Sequence, residues 1–256
     1  MALLTIQNVS KFFGKLAALT EIDLEIQEGE LVGLVGPNGS GKTTLFNVIS
    51  GFFHPSEGEV FYQGKKITNL RSDRISSMGL VRSFQSNLVY KEATCLENVI
   101  RGFYLHAKTS SWQAFFSTGA YRNEEKEILR KAEESLDFWG LSSVRDIQAD
   151  ELAHGFQRCL GLVIAFSAAP RLLLLDEPVA GMNTEEIVFV MDRIKELANG
   201  GMTVLLVEHH VKTVVDFCQR LIVLNYGLKI ADGKPEDVIA DKQVIDAYLG
   251  NSEVSK

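Results

Sequence analysis

The stretch Leu31-Val32-Gly33-Leu34-Val35-Gly36-Pro37-Asn38-Gly39-Ser40-Gly41-Lys42-Thr43-Thr44 decides the fold. Its first five residues form a continuous apolar run, the pattern of a strand buried on both faces of a parallel sheet. A glycine-rich turn follows at once, and Thr44-Leu45-Phe46-Asn47-Val48-Ile49 then reads as the start of a helix that stops near Gly51. Strand, glycine-rich loop and helix in that order make a phosphate-binding loop of the form G-x-x-x-x-G-K-[ST]. Glycines let backbone N–H groups crowd around an anion, and the helix N-terminus adds its positive end. Gly36, Pro37, Asn38, Gly39, Ser40 and Gly41 would wrap the phosphates, with Thr44 just beyond in the helix. Lys42 would reach the β- and γ-phosphates, and the Thr43 hydroxyl would ligate Mg²⁺. The expected ligand is a nucleoside triphosphate, and the expected chemistry is its hydrolysis.

Downstream, four leucines, Leu172 to Leu175, form another buried strand that ends at Asp176-Glu177. An acid at such a strand end can hold the Mg²⁺ water shell beside a phosphate loop. A second carboxylate next to it can polarise the attacking water, so Asp176 is the expected metal partner and Glu177 the expected general base. Thr203 to Val207 is a further strand, leading to Glu208-His209-His210. Strand ends in open α/β sheets face the ligand crevice, which puts the His209 imidazole within reach of a γ-phosphate, with His210 pointing elsewhere. Leu221 to Leu224 is one more strand, and Tyr226-Gly227 turns the chain towards Ile230. Leu3 to Val9, Leu24 to Ile26 and Glu59 to Tyr62 read as shorter strands near the N-terminus.

The middle of the chain follows a helical rhythm. Ile128, Ala132, Leu136 and Trp139 recur at helical spacing among charged residues, with Gly140 as a C-terminal stop. Asn183 is an expected N-cap, with Glu186 three residues on, for a helix whose buried stripe is Ile187, Val190, Ile194 and Leu197.

The composition, 46% hydrophobic and 23% charged over 256 residues, is that of a packed globular chain. A formal net charge of -7 argues against a nucleic-acid partner, which favours a basic face. Cys95, Cys159 and Cys218 are odd in number and widely spaced, as expected for unpaired thiols in a reducing compartment. No charged leader opens the chain, and no apolar run approaches the ~20 residues of a membrane span. Any membrane link is expected to run through a partner.

The order of these motifs resembles the ATPase subunit of ABC transporters, from Leu4 to Gly250. Gly36 to Thr43 matches the family's Walker A motif and Leu172 to Glu177 its Walker B motif with the catalytic glutamate. Gln85, in Val81-Arg82-Ser83-Phe84-Gln85, matches the Q-loop glutamine that contacts the nucleotide and Mg²⁺. Pro178 to Asn183 matches the D-loop, and His209 the switch histidine. Phe13 falls where the family stacks an aromatic on adenine, and Phe12 is a poorer candidate. The resemblance implies an α/β fold: a P-loop NTPase core of ABC ATPase type, with an N-terminal antiparallel β subdomain and a helical subdomain inserted at about 87–165. The whole of 1–256 would form one such domain.

One motif departs from the family. The signature Leu-Ser-Gly-Gly-Gln aligns with Leu152-Ala153-His154-Gly155-Phe156, so a hydroxyl, a glycine and a glutamine are replaced. In the family this segment grips the nucleotide of the opposite subunit. In the D-loop, Asn183 stands where aspartate is usual. Within the family, Gly79 to Gln85, Val179 to Asn183, Val207-Glu208-His209 and the ending Ala247-Tyr248-Leu249-Gly250 resemble the longer ATPase subunit of branched-chain amino acid importers. The long stretch between Ile100 and Asn123 fits that subunit too. Urea and amide importers share these features. The resemblance implies ATP and Mg²⁺ as ligands, transmembrane permease subunits and a second ATPase subunit as partners, and a solute-binding protein acting indirectly. It places the chain peripherally on the cytoplasmic face of the cell membrane. The rival readings are a soluble ABC ATPase acting on ribosomes or DNA, and a regulatory module with an inactive site.

Overall fold

A computed structural model describes residues 2–83, 89–104, 119–208 and 211–249. The chain divides into two compact units. One comprises residues 1–82, 171–178 and 194–256, and the other residues 83–170 and 179–193.

The first unit carries two sheets. β1 (Ala2–Phe13) and β2 (Leu16–Gln27) form a long antiparallel hairpin in which Phe13 pairs with Leu16 across the Gly14-Lys15 turn. β4 (Glu57–Tyr62) adds antiparallel to β1, and β5 (Lys65–Lys66) to β4, giving the order β2-β1-β4-β5. This is the antiparallel subdomain expected at the N-terminus. Both hairpin strands run further than the sequence reading of Leu3 to Val9 and Leu24 to Ile26. Register shifts in β1, and left-handed backbone at Asn8 and Glu21, break the alternation that would have revealed their length.

The second sheet is built from β3 (Leu31–Val35), β6 (Leu80–Ser83), β7 (Leu172–Asp176), β8 (Thr203–Val207), β9 (Arg220–Asn225) and β10 (Leu228–Gly233). Their order is β10-β9-β3-β8-β7-β6. β9, β3, β8 and β7 are mutually parallel, and β10 returns antiparallel on the β9 edge. All five residues of β3 and of β8 are buried, as are the four leucines of β7. Burial on both faces is why these strands read as unbroken apolar runs. α1 (Lys42–Ile49) follows β3 through the glycine-rich loop, and its Leu45, Phe46 and Ile49 are fully buried in the same core as Leu34, Leu172 and Leu205. α2 (Ser72–Ser77) precedes β6. α7 (Val211–Phe217), α8 (Pro235–Ala240) and α9 (Lys242–Leu249) complete this part of the chain.

The other unit is helical where it is described. It holds α3 (Cys95–Tyr104), α4 (Gly119–Phe138), a 3-10 turn (Ser142–Val144), α5 (His154–Ser167) and the start of α6 (Thr184–Asn199). The α4 stripe of Ile128, Ala132 and Leu136, with Trp139 beyond it, is buried as its spacing predicts. Gly140 takes φ 68°, and Leu141 N–H returns to the Leu136 carbonyl at 2.7 Å to close the helix. The Trp139 and Phe166 rings lie 5.2 Å apart. Buried Asn98 accepts from Tyr90 N–H at 2.8 Å and donates to the carbonyls of Tyr90, Ala93 and Thr94, fixing the entry to α3. The capping box at Asn183 and Glu186 forms, with reciprocal bonds of 2.9 and 3.0 Å. The buried stripe of α6 differs from the expected one. Met191 and Ala198 are buried beside Val190 and Ile194, while Ile187 and Leu197 are only half-buried.

All three cysteines are buried and unpaired. Burial pushes the Cys95 thiol up to about 11 and those of Cys159 and Cys218 up to about 12. Unfolded thiols ionise near roughly pH 8.5. Between there and about pH 11 the native state holds protons that the unfolded state has lost, so stability falls as pH rises. At pH 8 a thiol-specific disulfide reagent is expected to label none of the three in the native protein and all three in denaturant. Thermal scans from pH 8 to 10 should show a falling midpoint. Rapid native labelling would contradict this burial.

Candidate nucleotide-binding site

The loop between β3 and α1 is shaped by what cannot be there. A Cβ on Gly36, whose φ is 148°, would sit 2.1 Å from the Leu224 carbonyl oxygen at the end of β9. A Cβ on Gly41, at φ 107°, would sit 2.7 Å from the Ala18 carbonyl oxygen in β2. Gly39 also has left-handed backbone, at φ 77°, but its missing side chain faces open space. The β9–β10 turn locks the loop from behind. Gly227 N–H donates to the Ser40 carbonyl at 2.9 Å, and Thr20 N–H donates to the Gly227 carbonyl at 2.9 Å.

In front of the loop lies a cavity of about 490 Å³, within the size range of small-ligand sites. Its floor is residues 38–44. One wall is the hairpin tip, with Phe13, Leu16, Ala17 and Ala18, and the remainder is Glu177, Val207 and Tyr226. Gly41 caps α1 without a side-chain hydrogen bond, and no acid occupies the first turn of the helix. The first-turn N–H groups of a helix have no intrahelical partners, so this end of α1 is suited to an anion.

Lys42 is 5% exposed. Its ammonium donates to the Gly36 and Pro37 carbonyls at 2.7 and 2.9 Å, and a longer contact of 3.5 Å reaches Ser40 Oγ. Burial lowers its pKa, and the nearby charges of Glu177 and Asp176 act in the opposite direction. Glu177 follows β7 with φ 51°, left-handed backbone that a residue with a Cβ rarely adopts. Its N–H donates to the Val207 carbonyl at 2.9 Å, which holds that conformation while the residue lines the cavity. Asp176 ends β7, and its carboxylate is paired with Arg82 at 2.7 Å.

The fold therefore brings together Phe13, Asn38, Gly39, Ser40, Gly41, Lys42, Thr43, Thr44 and Glu177 on one cavity, with Asp176 beside it and Gly36 and Pro37 beneath it. Phe12 is not among the lining residues. Gln85 and His209 lie outside the described residues. The segment aligned with the signature opens α5. Ala153 is its N-cap with no side-chain bond, and a Cβ on Gly155 would meet Glu186 Oε1 at 2.6 Å.

Several contributors escape the sequence reading. Ala17 and Ala18 belong to a strand whose first half was not recognised. Tyr226, 74% exposed at the cavity edge, was read only as a turn residue. The Tyr248 hydroxyl meets the Gly36 backbone from α9, a contact 212 positions away in the chain for which no local pattern exists. Phe53 packs edge-on against Phe13, with ring centres 5.4 Å apart and planes at 76°, and Lys11 lies over both rings. The pair Phe52-Phe53 just past α1 was the available signal.

Comparison with known proteins identifies the family. A family model described as ABC transporter matches residues 19–180, and one described as branched-chain amino acid ATP-binding cassette transporter matches residues 229–254. The high-affinity branched-chain amino acid transport ATP-binding protein BraF of Pseudomonas aeruginosa is 36% identical over 251 residues, 98% of each chain. Its counterpart LivG of Salmonella typhimurium is 37% identical with the same coverage, and the probable LivG of Archaeoglobus fulgidus is 37% identical over 98% of this chain and 96% of its own. Among solved structures, an ATP-binding cassette of an ABC transporter in its ADP conformation superposes with a TM-score of 0.84 at 33% identity, over 98% of this chain and 99% of that one. A nucleotide-free ATP-binding cassette gives a TM-score of 0.82 at 32% identity, over 97% and 99%. The chain belongs to the ABC transporter family, as an ATP-binding cassette whose phosphate loop opens on the cavity described above.

Proposed function

We propose that this chain is the ATP-hydrolysing subunit of an ABC importer that takes up branched-chain amino acids. The observation that carries the reading is likeness along the full length. Relatives with that role in their names align over 98% of both chains, and a separate branched-chain match covers the C-terminal residues 229–254. No helix among the described residues is long and apolar enough to cross a membrane. In this reading the solute path belongs to transmembrane permease subunits, a second ATPase subunit completes the motor, and a solute-binding protein delivers the cargo. The chain sits peripherally on the cytoplasmic face of the membrane.

The site residues take the following roles. The adenine ring stacks on Phe13, and the triphosphate lies along residues 38–44 over the N-terminus of α1. Lys42 exchanges its two loop carbonyls for β- and γ-phosphate oxygens, which offset its burial better than neutral acceptors do. Glu177 accepts a proton from the attacking water as its oxygen bonds to the γ-phosphorus. The bond from that phosphorus to the bridging oxygen breaks, and ADP and phosphate leave. Among the described residues no cluster of three or more His, Cys, Asp or Glu is arranged as a metal cage. Thr43 and Asp176, with Gln85 from the resemblance, would hold Mg²⁺ together with phosphate oxygens. When bound, the cation would neutralise charge on the β- and γ-oxygens. His209, again from the resemblance, would contact the γ-phosphate.

Glu177→Gln removes the base and leaves the cavity its shape. It is expected to bind ATP within a few-fold of the parent and to lose at least about a hundredfold in turnover. Normal steady-state hydrolysis by this variant would sink the role. Base stacking contributes roughly 1–3 kcal/mol, so Phe13→Ala should weaken ATP binding about tenfold or more. Inorganic triphosphate, which has no base, should compete equally well on both chains. Affinity capture from detergent-solubilised membranes should recover two permease subunits and a second ATPase subunit. Uptake by that assembly, reconstituted in liposomes, should favour leucine, isoleucine and valine over urea and short amides. The reverse preference would reassign the solute, and a ribosomal or wholly soluble set of partners would overturn the transport reading.

A further inference from the structure

Arg82 has no role in the reading above, yet its surroundings are unusually specific. It lies on β6, the neighbour of β7 in the sheet, and its side chain is 7% exposed. One terminal nitrogen donates to Asp176 Oδ2 at 2.7 Å, and the other donates to Asn47 Oδ1 at 2.6 Å. The guanidinium carbon stands 5.6 Å from the centre of the Phe46 ring. Phe46 and Asn47 belong to α1, the helix that begins at Lys42. A single planar cation thus ties the carboxylate at the end of β7 to the helix carrying the phosphate loop. The Asn47 end of this link is itself fixed, because the Asn47 carbonyl accepts from Phe52 and Phe53 N–H at 2.8 and 3.0 Å.

We infer that Arg82 is a positioning residue that sets the orientation of the Asp176 carboxylate and so governs how the divalent cation enters the site. The inference rests on the reading that Asp176 serves that cation. With Oδ2 held by Arg82, Asp176 presents Oδ1 as its available oxygen, and the carboxylate cannot turn freely about its terminal bond. The pairing also offsets the negative charge of Asp176 with a positive charge close by. Charge alone would make removal of Arg82 raise the metal gain, whereas loss of the fixed carboxylate orientation lowers it, so the sign of the change separates the two effects. A fork of two donors in one plane is what the arrangement uses. Lysine offers a single ammonium, which can reach Asp176 but cannot reproduce the bridge to Asn47.

The test measures the affinity of a fluorescent ATP analogue in Mg²⁺ and in EDTA, so that the readout is the gain conferred by the metal. For Arg82→Met, affinity in EDTA should stay within about twofold of the parent, and the gain from Mg²⁺ should fall about tenfold. Arg82→Lys and Asn47→Ala should each lose part of that gain. In the Asp176→Asn background, adding Arg82→Met should change the metal gain no further, because the two act as one unit. If Arg82→Met cannot be purified folded, Arg82→Lys and Asn47→Ala carry the same measurement. A full metal gain in the folded Arg82 and Asn47 variants, while Asp176→Asn loses it, would overturn the inference alone. A full metal gain in Asp176→Asn would overturn the underlying role of Asp176. Equal loss with and without metal would reduce Arg82 to a structural support and also overturn the inference.

Discussion

The close approach of the phosphate loop to two strand ends is the constraint from which the site follows. Gly36 presses on the carbonyl of Leu224 in the six-stranded sheet, and Gly41 on the carbonyl of Ala18 in the four-stranded sheet. Any side chain at either position would collide with backbone, which cannot be relieved by a rotamer change. The turn at Gly227 is under the same pressure, since a Cβ there would lie 2.8 Å from the Ala18 carbonyl. The loop is therefore the seam where the two sheets of this unit meet. The cavity lies along that seam, with the hairpin tip as one wall and the loop as its floor. A phosphate loop on a different sheet arrangement would lack the Phe13, Leu16, Ala17 and Ala18 wall.

Charge at the seam is arranged in alternation. Arg82 is paired with Asp176, and the charges of Asp176 and Glu177 in turn act on buried Lys42. The hydrogen-bond acceptors of Lys42 are two backbone carbonyls, which carry no net charge. Phosphate oxygens would give this buried ammonium charged acceptors in place of neutral ones, a larger gain than a solvated lysine would have. Glu177 contributes through geometry. Left-handed backbone at a residue with a Cβ costs about 1–3 kcal/mol, and here the bond from Glu177 N–H to the Val207 carbonyl maintains it beside the cavity.

How legible each part was in the sequence depended on how local its cause was. β3, β7 and β8 were readable because strands buried on both faces leave only one kind of residue in a row. The box at Asn183 and Glu186 was readable because its two partners are three residues apart. The β1–β2 hairpin was read too short, because its bulges shift the side-chain register and erase the alternation. The α6 stripe was read with Ile187 and Leu197, which the fold leaves half-buried in favour of Met191 and Ala198. The Arg82 bridge was beyond such reading, since its partners lie 35 and 94 positions away and no spacing rule connects them. Phe13 came from resemblance and not from any pattern in its neighbourhood, and the Phe53 ring that supports it was visible only once β1 and the end of α1 were placed together.

The altered signature shows the difference between losing a fold element and losing a functional group. A serine at an N-cap normally accepts a hydrogen bond from the first turn, and replacing it by alanine costs a helix about 1 kcal/mol. Ala153 nevertheless keeps the extended backbone of a cap, with φ -58° and ψ 150°, and α5 starts at His154 and runs for 14 residues. The bond from Gln157 Nε2 to the Leu152 carbonyl at 3.0 Å holds the chain just before the helix, and Glu186 closes over Gly155. The helix start thus survives without a side-chain bond at position 153, whose carbonyl still accepts from Gln157 N–H at 3.1 Å. What the substitution removes is a hydroxyl, and with it a side-chain oxygen able to cap α5 or to donate outward. The backbone N–H groups of the first turn remain, with no acid among them. The departure therefore changes the chemistry this segment can offer without changing where the segment stands in its own unit.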